Sequence, residues 1–98
     1  MKEKSIRYKS ARDFAKSLGL SNIEIELALE KKRIIEKLKA KRKRLKLSQA
    51  TVAHMIESQQ PTIARMESGQ VSEVSLDFLA KIAMVLGVSF SIRSGKVA

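Results

Sequence analysis

The chain has 98 residues, no cysteine, and a formal charge of +10 from 20 Lys and Arg against 10 Asp and Glu. That length supports one small domain, the missing cysteine excludes disulfides and thiolate-held zinc, and so basic a surface selects polyanions as partners. No apolar run is long enough to span a membrane and no secretion signal opens the sequence, so a soluble, cytoplasmic protein with no membrane partner is expected.

Met1 to Arg12 is dominated by Lys, Arg and Ser with only Ile6 and Tyr8 to bury, and reads as a mobile basic arm. Such an arm either follows a phosphate backbone, folds onto a protein partner, or serves solubility alone. ARDFAKSLGLS then forms a helical turn with Phe14 and Leu18 on one side, closed by Gly19. Ser21 or Asn22 caps the next helix, and the Glu residues that follow suit the positive end of its dipole. Neither Gly nor Pro interrupts the chain from there to Leu45, and Leu27, Ile34, Leu38 and Leu45 recur at helical spacing. One helix of roughly 37 Å is predicted, at 1.5 Å per residue. Its first half, with Ile23, Ile25, Leu27 and Leu29 on more than one side, carries more apolar surface than a single stripe can bury. Either that half helps to bind a second chain, or Phe14, Leu18 and Ile23 fold back over their own domain. From Lys37 to Lys46 there are seven basic residues and no acid, a run that suits phosphate better than a mixed solvated face.

LSQATVAHMIESQQPTIARMESG, Leu47 to Gly69, reads as two short helices around a tight turn. Val52, Met55 and Ile56 share one face of the first, and Ile63 and Met66 one face of the second, so both stripes point to a common core. The opposite face of the second helix holds Pro61, Ala64, Arg65 and Ser68, with Gln60 at its leading edge. Gln and Arg make two-pronged contacts to adenine and guanine edges, which makes this helix a candidate reading head. Ser48 is a candidate cap for the first helix, Glu57 to Gln59 form the turn, Pro61 sits in a first turn where its missing N–H costs nothing, and Gly69 stops the second helix. After a short loop, Ser75 caps a further helix with Leu76, Leu79, Ile82, Ala83 and Leu86 inward, ended by Gly87. Met55, Met66 and Met84 are expected in the core. Val88, Phe90 and Ile92 alternate with Ser89, Ser91 and Arg93, the two-residue repeat of a half-buried strand. A lone strand has nothing to pair with in its own chain, so the same strand of a second copy or another protein's sheet edge is its expected partner. Ser94 to Ala98 is expected to fray. The fold class is thus all-α, a compact helical bundle with a long N-terminal helix and a short C-terminal β-strand. It divides into an arm at 1–20, a helical domain at 21–88 and a strand and tail at 89–98.

LSQATVAHMIESQQPTIARMESG resembles the helix-turn-helix of the phage-repressor (Xre/Cro) family, and the likeness continues through SLDFLAKIAMVLGV. One departure is Glu57, where the family places Gly. A side chain at positive φ there costs about 1 to 2 kcal/mol and invites a remodelled turn. The resemblance implies that Gln60, Pro61 and Arg65 face bases, that Gln49, Thr62 and Ser68 lie along the phosphate backbone, and that Arg42 and Glu67 pair to hold helix one to the end of the reading helix. Pro61 has no hydrogen bond to give a base, only an apolar contact. Lys41, Lys43 and Arg44 are further candidate phosphate contacts. The N-terminal FAKSLGLS segment, the long helix and the terminal strand are together similar to small HigA-type antitoxins, which bind a ribonuclease toxin and repress their own promoter. Val88, Phe90, Ile92, Phe14 and Leu18 are then the expected dimer or partner contacts.

Three functions fit. The first is a homodimeric repressor of double-stranded DNA, reading an inverted repeat as the antitoxin of a ribonuclease toxin; two copies about 34 Å apart double the readout of one short helix. The second is a stand-alone regulator with no toxin. The third is a protein-binding module whose helix-turn-helix no longer reads DNA, against which Gln60 and Arg65 speak. An enzyme is not expected: His54 is the single histidine and has no thiol or arranged carboxylate nearby, while Glu24 and Glu26 face different sides of a helix. No cofactor or metal is implied.

Overall fold

The computed structural model describes residues 11–19 and 21–93. Of the mobile arm expected at Met1 to Arg12, the part before Ala11 lies outside them, as does the end expected to fray after Arg93, while Ala11 and Arg12 open a helix. The described chain forms α1 (Ala11–Ser17), α2 (Asn22–Arg44), α3 (Gln49–Met55), α4 (Gln60–Glu67) and α5 (Leu76–Leu86), with a 3-10 turn at Val71–Glu73.

Serine caps set three of the helix starts. Ser21 begins α2 with a reciprocal capping box: its Oγ accepts from the Glu24 N–H at 3.3 Å, and the Glu24 carboxylate accepts from the Ser21 N–H at 3.0 Å. Ser48 Oγ accepts from the Thr51 N–H at 3.0 Å, and Ser75 Oγ from the Phe78 N–H at 3.0 Å. Lys41, Arg42, Lys43 and Arg44 fill the last turn of α2, where cations complement the negative end of the dipole. At its 23 residues α2 is about 34 Å long, close to the predicted rod.

The core collects Ile34, Ile35 and Leu38 from α2, Val52 and Ala53 from α3, Ile63 and Met66 from α4, Val74, and Leu79, Ile82, Ala83 and Leu86 from α5. Each set falls on one face of its helix, so four short stripes close on one another with α2 as the spine. The methionines divide. Met66 is buried, but Met55 is 42% and Met84 81% exposed, contrary to the expectation of core burial. The reason for Met84 lies in the helix period, which sets it about 140° from Leu79 at 100° per residue, outside the inward stripe of α5. Met55 closes a two-turn helix at its last residue, where the stripe runs past its cover.

The turn between α3 and α4 keeps a glycine-type geometry although its residue is Glu57, at φ 57°. The Glu57 N–H donates to His54 O at 3.1 Å and the Ser58 N–H to Ala53 O at 2.7 Å, closing the end of α3 without remodelling. Glu57→Gly is therefore expected to raise stability by about 0.5 to 1 kcal/mol, the relief of the left-handed conformation less the added freedom of the unfolded chain. A urea midpoint that moves down instead would show that the Glu57 side chain contributes more than its backbone strain costs.

The terminal segment corrects a second expectation. Val88 and Phe90 are half-buried and pack on the core while Ser89 and Ser91 are exposed, so the two-residue repeat holds as far as Phe90, and Ile92, expected inward, is exposed. No strand forms at Val88 to Arg93, because a ladder needs a second strand and none exists among the described residues. Side chains of α2 hold the segment instead. Lys37 Nζ donates to Ser89 O at 2.6 Å, Arg33 Nη2 to Ser91 O at 2.6 Å, and the Arg93 N–H to Glu30 Oε1 at 3.0 Å. Hydrogen bonds from the Arg33 guanidinium first, and from the Arg93 N–H second, hold the Glu30 carboxyl below its ordinary range.

At the other end α1 packs against α2, and Ile25 is buried outside the main cluster. Fold-back does not consume the apolar surface there: Phe14, Leu18, Ile23 and Leu27 stay exposed.

Candidate nucleic-acid interface

The short helix α4 leans on α2 and α3 through Ile63 and Met66, which turns Gln60, Pro61 and Arg65 outward, all three exposed. Thr62 and Ala64 are half-buried at the flanks of that face. No hydrogen bond or ion pair with another described residue engages the Arg65 guanidinium, so its fork of donors is available to a base edge or phosphate.

Gln60 is differently placed, at the end of a polar chain that begins inside the protein. Arg42 clasps Glu67 with two hydrogen bonds, Nε to Oε2 at 2.6 Å and Nη2 to Oε1 at 2.8 Å, and its Nη1 donates to Leu47 O at 2.7 Å. Glu67 Oε1 also accepts from Gln49 Nε2 at 3.0 Å, and Gln49 Oε1 accepts from Gln60 Nε2 at 2.7 Å. One line of bonds thus joins α2, the C-terminal end of α4, the start of α3 and the start of α4. Its direction is fixed by chemistry: the carboxylate only accepts, so Gln49 must turn its NH2 inward and its carbonyl outward, which obliges Gln60 to donate. Gln60 keeps its carbonyl oxygen and one N–H free, the acceptor and donor that the N6 and N7 edge of adenine requires. Burial pushes the Glu67 carboxyl up, but the bonds from Arg42 and Gln49 outweigh it and the net shift is downward. Glu67 is 6% exposed and therefore stays charged only because it is clasped.

The basic run at the end of α2 separates into two faces. Lys43, with Lys39, lines a cleft shared with Gln49, Ala64 and Ser68, beside the reading helix. Lys41 and Arg44 line another cleft with Lys37, Gly87, Val88 and Ser89, beside the terminal segment. The structure therefore brings Lys43 to Gln49 and Ser68 and carries Lys41 and Arg44 away from them. Lys39 joins the former group, and its helical spacing of four from Lys43 is the sequence signal for it. Ser68 Oγ donates its proton to Arg65 O at 2.8 Å, so a phosphate oxygen, which only accepts, would have to take that proton from the helix. Replacing Lys39 and Lys43 with Ala is expected to lower the slope of log K against log salt by about 0.9 per lost phosphate contact, whereas the Lys41→Ala, Arg44→Ala pair leaves it unchanged. Equal slopes for the two pairs in binding titrations would remove the distinction between the faces.

Phe14 and Leu18 stand at the far end of α2, apart from this surface, and Val88, Phe90 and Ile92 run along its middle, beside Lys37 and Arg33. Among the described residues no helix is long and apolar enough to cross a membrane.

A family model described as helix-turn-helix matches residues 38–92, more than half of the chain. No curated protein and no solved structure gives a significant match. The matched span runs from Leu38 in α2 through most of the terminal segment, and leaves α1 and α2 up to Lys37 outside it. The chain belongs to the Xre-type helix-turn-helix family of DNA-binding regulators.

Proposed function

We propose that this Xre-type helix-turn-helix chain is a sequence-specific repressor of double-stranded DNA that acts as a homodimer on an inverted repeat. The observation that carries the reading is the outward display of Gln60 and Arg65 on α4, with Gln60 held by Gln49 in the orientation that adenine needs. A net charge of +10 supplies the sequence-independent attraction, and Lys39 and Lys43 flank the face that must approach the backbone. One eight-residue helix reaches only a few base pairs, so discrimination requires a second copy on the next turn of the duplex, about 34 Å away.

The finer role proposed is that of an antitoxin, which neutralises a ribonuclease toxin and represses its own operon. The exposed Phe14 and Leu18, in and just after α1, and Ile23 and Leu27 in the first turns of α2 support it, because they are apolar side chains outside the family span and away from the reading face. No catalytic role is assigned to the chain.

Random-duplex selection tests the DNA reading. The expected product is an inverted repeat with half-sites one helical turn apart and an adenine opposite Gln60. Recovery of unrelated sequences at equal affinity would leave a nonspecific binder and end the repressor reading. For the antitoxin role, co-expression with the product of the adjacent reading frame is expected to relieve its growth arrest, and Phe14→Asp with Leu18→Asp to abolish that relief while DNA binding persists.

A further inference from the structure

Two exposed methionines and a strained glutamate, none with a part in the reading face, meet in one place. Met55, Ile56 and Glu57 at the end of α3 and Lys81, Met84 and Val85 on α5 line an open groove of about 330 Å³. Ile56 and Val85 pack against the core, while Met55 is 42% and Met84 81% exposed beside them. Lys81, Met84 and Val85 are three and four residues apart, so they are neighbours on one strip of α5. Glu57 holds the left-handed conformation at φ 57°, although the bonds that close its turn come from backbone groups and need no side chain. Neither its carboxylate nor the Lys81 ammonium makes a hydrogen bond or ion pair with another described residue. Backbone strain of this kind collects at functional sites. Methionine suits a contact surface, because its unbranched thioether adapts to what faces it.

We propose that this groove seats the same groove of a second copy, and that the contact joins repressor dimers bound at neighbouring inverted repeats. The inference rests on the homodimer proposed above and adds a contact to it, separate from the one that joins the two copies of a dimer. Charge selects this occupant. The groove carries one acid on its α3 side and one base on its α5 side, so a two-fold axis through its middle sets each Glu57 against the other copy's Lys81 and brings the methionines together. A foreign helix would have to supply the same opposite pair, which this chain already has. The duplex supplies the same symmetry, because the facing half-sites of two adjacent inverted repeats are themselves related by a two-fold axis. Free copies do not meet this way. Six lining residues fall far short of the about 20 to 30 per side of a stable interface, and two chains of charge +10 repel each other. On DNA the phosphates offset that charge and hold the dimers side by side, so the groove acts at a high effective concentration. Its effect is cooperative filling of adjacent sites.

Binding titrations of the full chain on duplexes with one or two selected inverted repeats, the two-site set varied in spacing through one helical turn, test the contact. At the favoured spacing the parent is expected to bind the second site about tenfold more tightly than an isolated site. Lys81→Glu, Glu57→Lys, and Met55→Gln with Met84→Gln are each expected to bring that ratio close to one, while thermal unfolding stays near that of the parent. Lys81→Glu and Glu57→Lys combined in one chain recreate the opposite pair across the axis and are expected to restore the ratio. Because the ratio compares two duplexes for one protein, a uniform change in net charge cancels from it. A parent ratio of one at every spacing, or a charge swap that does not restore it, would overturn the contact between dimers and spare the homodimer on its single site. Variants that keep the parent's ratio but no longer relieve the growth arrest would assign the groove to the toxin and overturn the proposal as well. A parent that prefers no sequence would overturn the repressor reading and this contact together.

Discussion

Arg42→Ala is expected to cost about 3 to 5 kcal/mol of folding stability, the penalty for leaving a buried charge without its partner. Glu67 is only 6% exposed, and without Arg42 its carboxylate keeps only the Gln49 amide at 3.0 Å as a hydrogen-bond partner. Small domains have about 5 to 15 kcal/mol in total, so the variant should unfold at a markedly lower urea concentration than the parent. A companion variant, Arg42→Met with Glu67→Leu, is expected to recover much of the loss, since removing both charges also removes their desolvation. The pH dependence carries the same sign argument. Burial raises the Glu67 carboxyl and the clasp lowers it further than burial raises it, so its folded value lies below 4.5. Its stabilisation is thus complete above about pH 4.5 and is lost as the pH falls through the folded value. In Arg42→Ala the strongest lowering cause is gone and burial, the largest influence on the carboxyl, is opposed only by the Gln49 amide and the Lys39 charge, so acidification should recover part of the deficit where it weakens the parent. Unfolding curves with parallel acid limbs, or a loss below about 1 kcal/mol at neutral pH, would show that water screens the pair.

Arg65→Ala is expected to weaken binding to the selected duplex by about 1 to 3 kcal/mol, roughly fivefold to 150-fold, while affinity for random duplex falls by little more than one charge contact. The guanidinium is exposed, unengaged and carried on the outward face of α4, so its removal takes nothing from the fold. Equal losses on both duplexes in competition titrations would reassign Arg65 to phosphate.

The caps at Ser21, Ser48 and Ser75, the inward stripes, and the exposed Gln60 and Arg65 are legible in the sequence because each depends on residues a few positions apart. The pairing of Arg42 with Glu67 comes from resemblance, and the structure supplies its physical reason in the line of bonds that continues through Gln49. Contact across long separations is what the sequence does not carry. Glu30, Arg33 and Lys37 share one side of α2, but nothing in their spacing names Ser89, Ser91 or Arg93 as the groups they hold. The strand expected at Val88 to Ile92 follows from a correct period, while a ladder requires a neighbour that periodicity does not report. The basic run Lys37 to Lys46 looks like one feature in the sequence although helical rotation distributes it over two faces, and that rotation is available from residue numbers alone. Met84 fails for the same reason, an apolar type overriding its angle on α5.

The length of α2 has an evolutionary consequence. Its last turns carry Arg42 to the reading helix while its first turns carry Ile23 and Leu27, and roughly 22 to 28 Å of rigid backbone separates them. Substitutions that far apart with no shared neighbours add independently. A lineage could therefore exchange whatever protein docks at one end without relearning its operator at the other, and hybrids that graft residues 11–30 of one relative onto the remainder of another should inherit the two specificities separately.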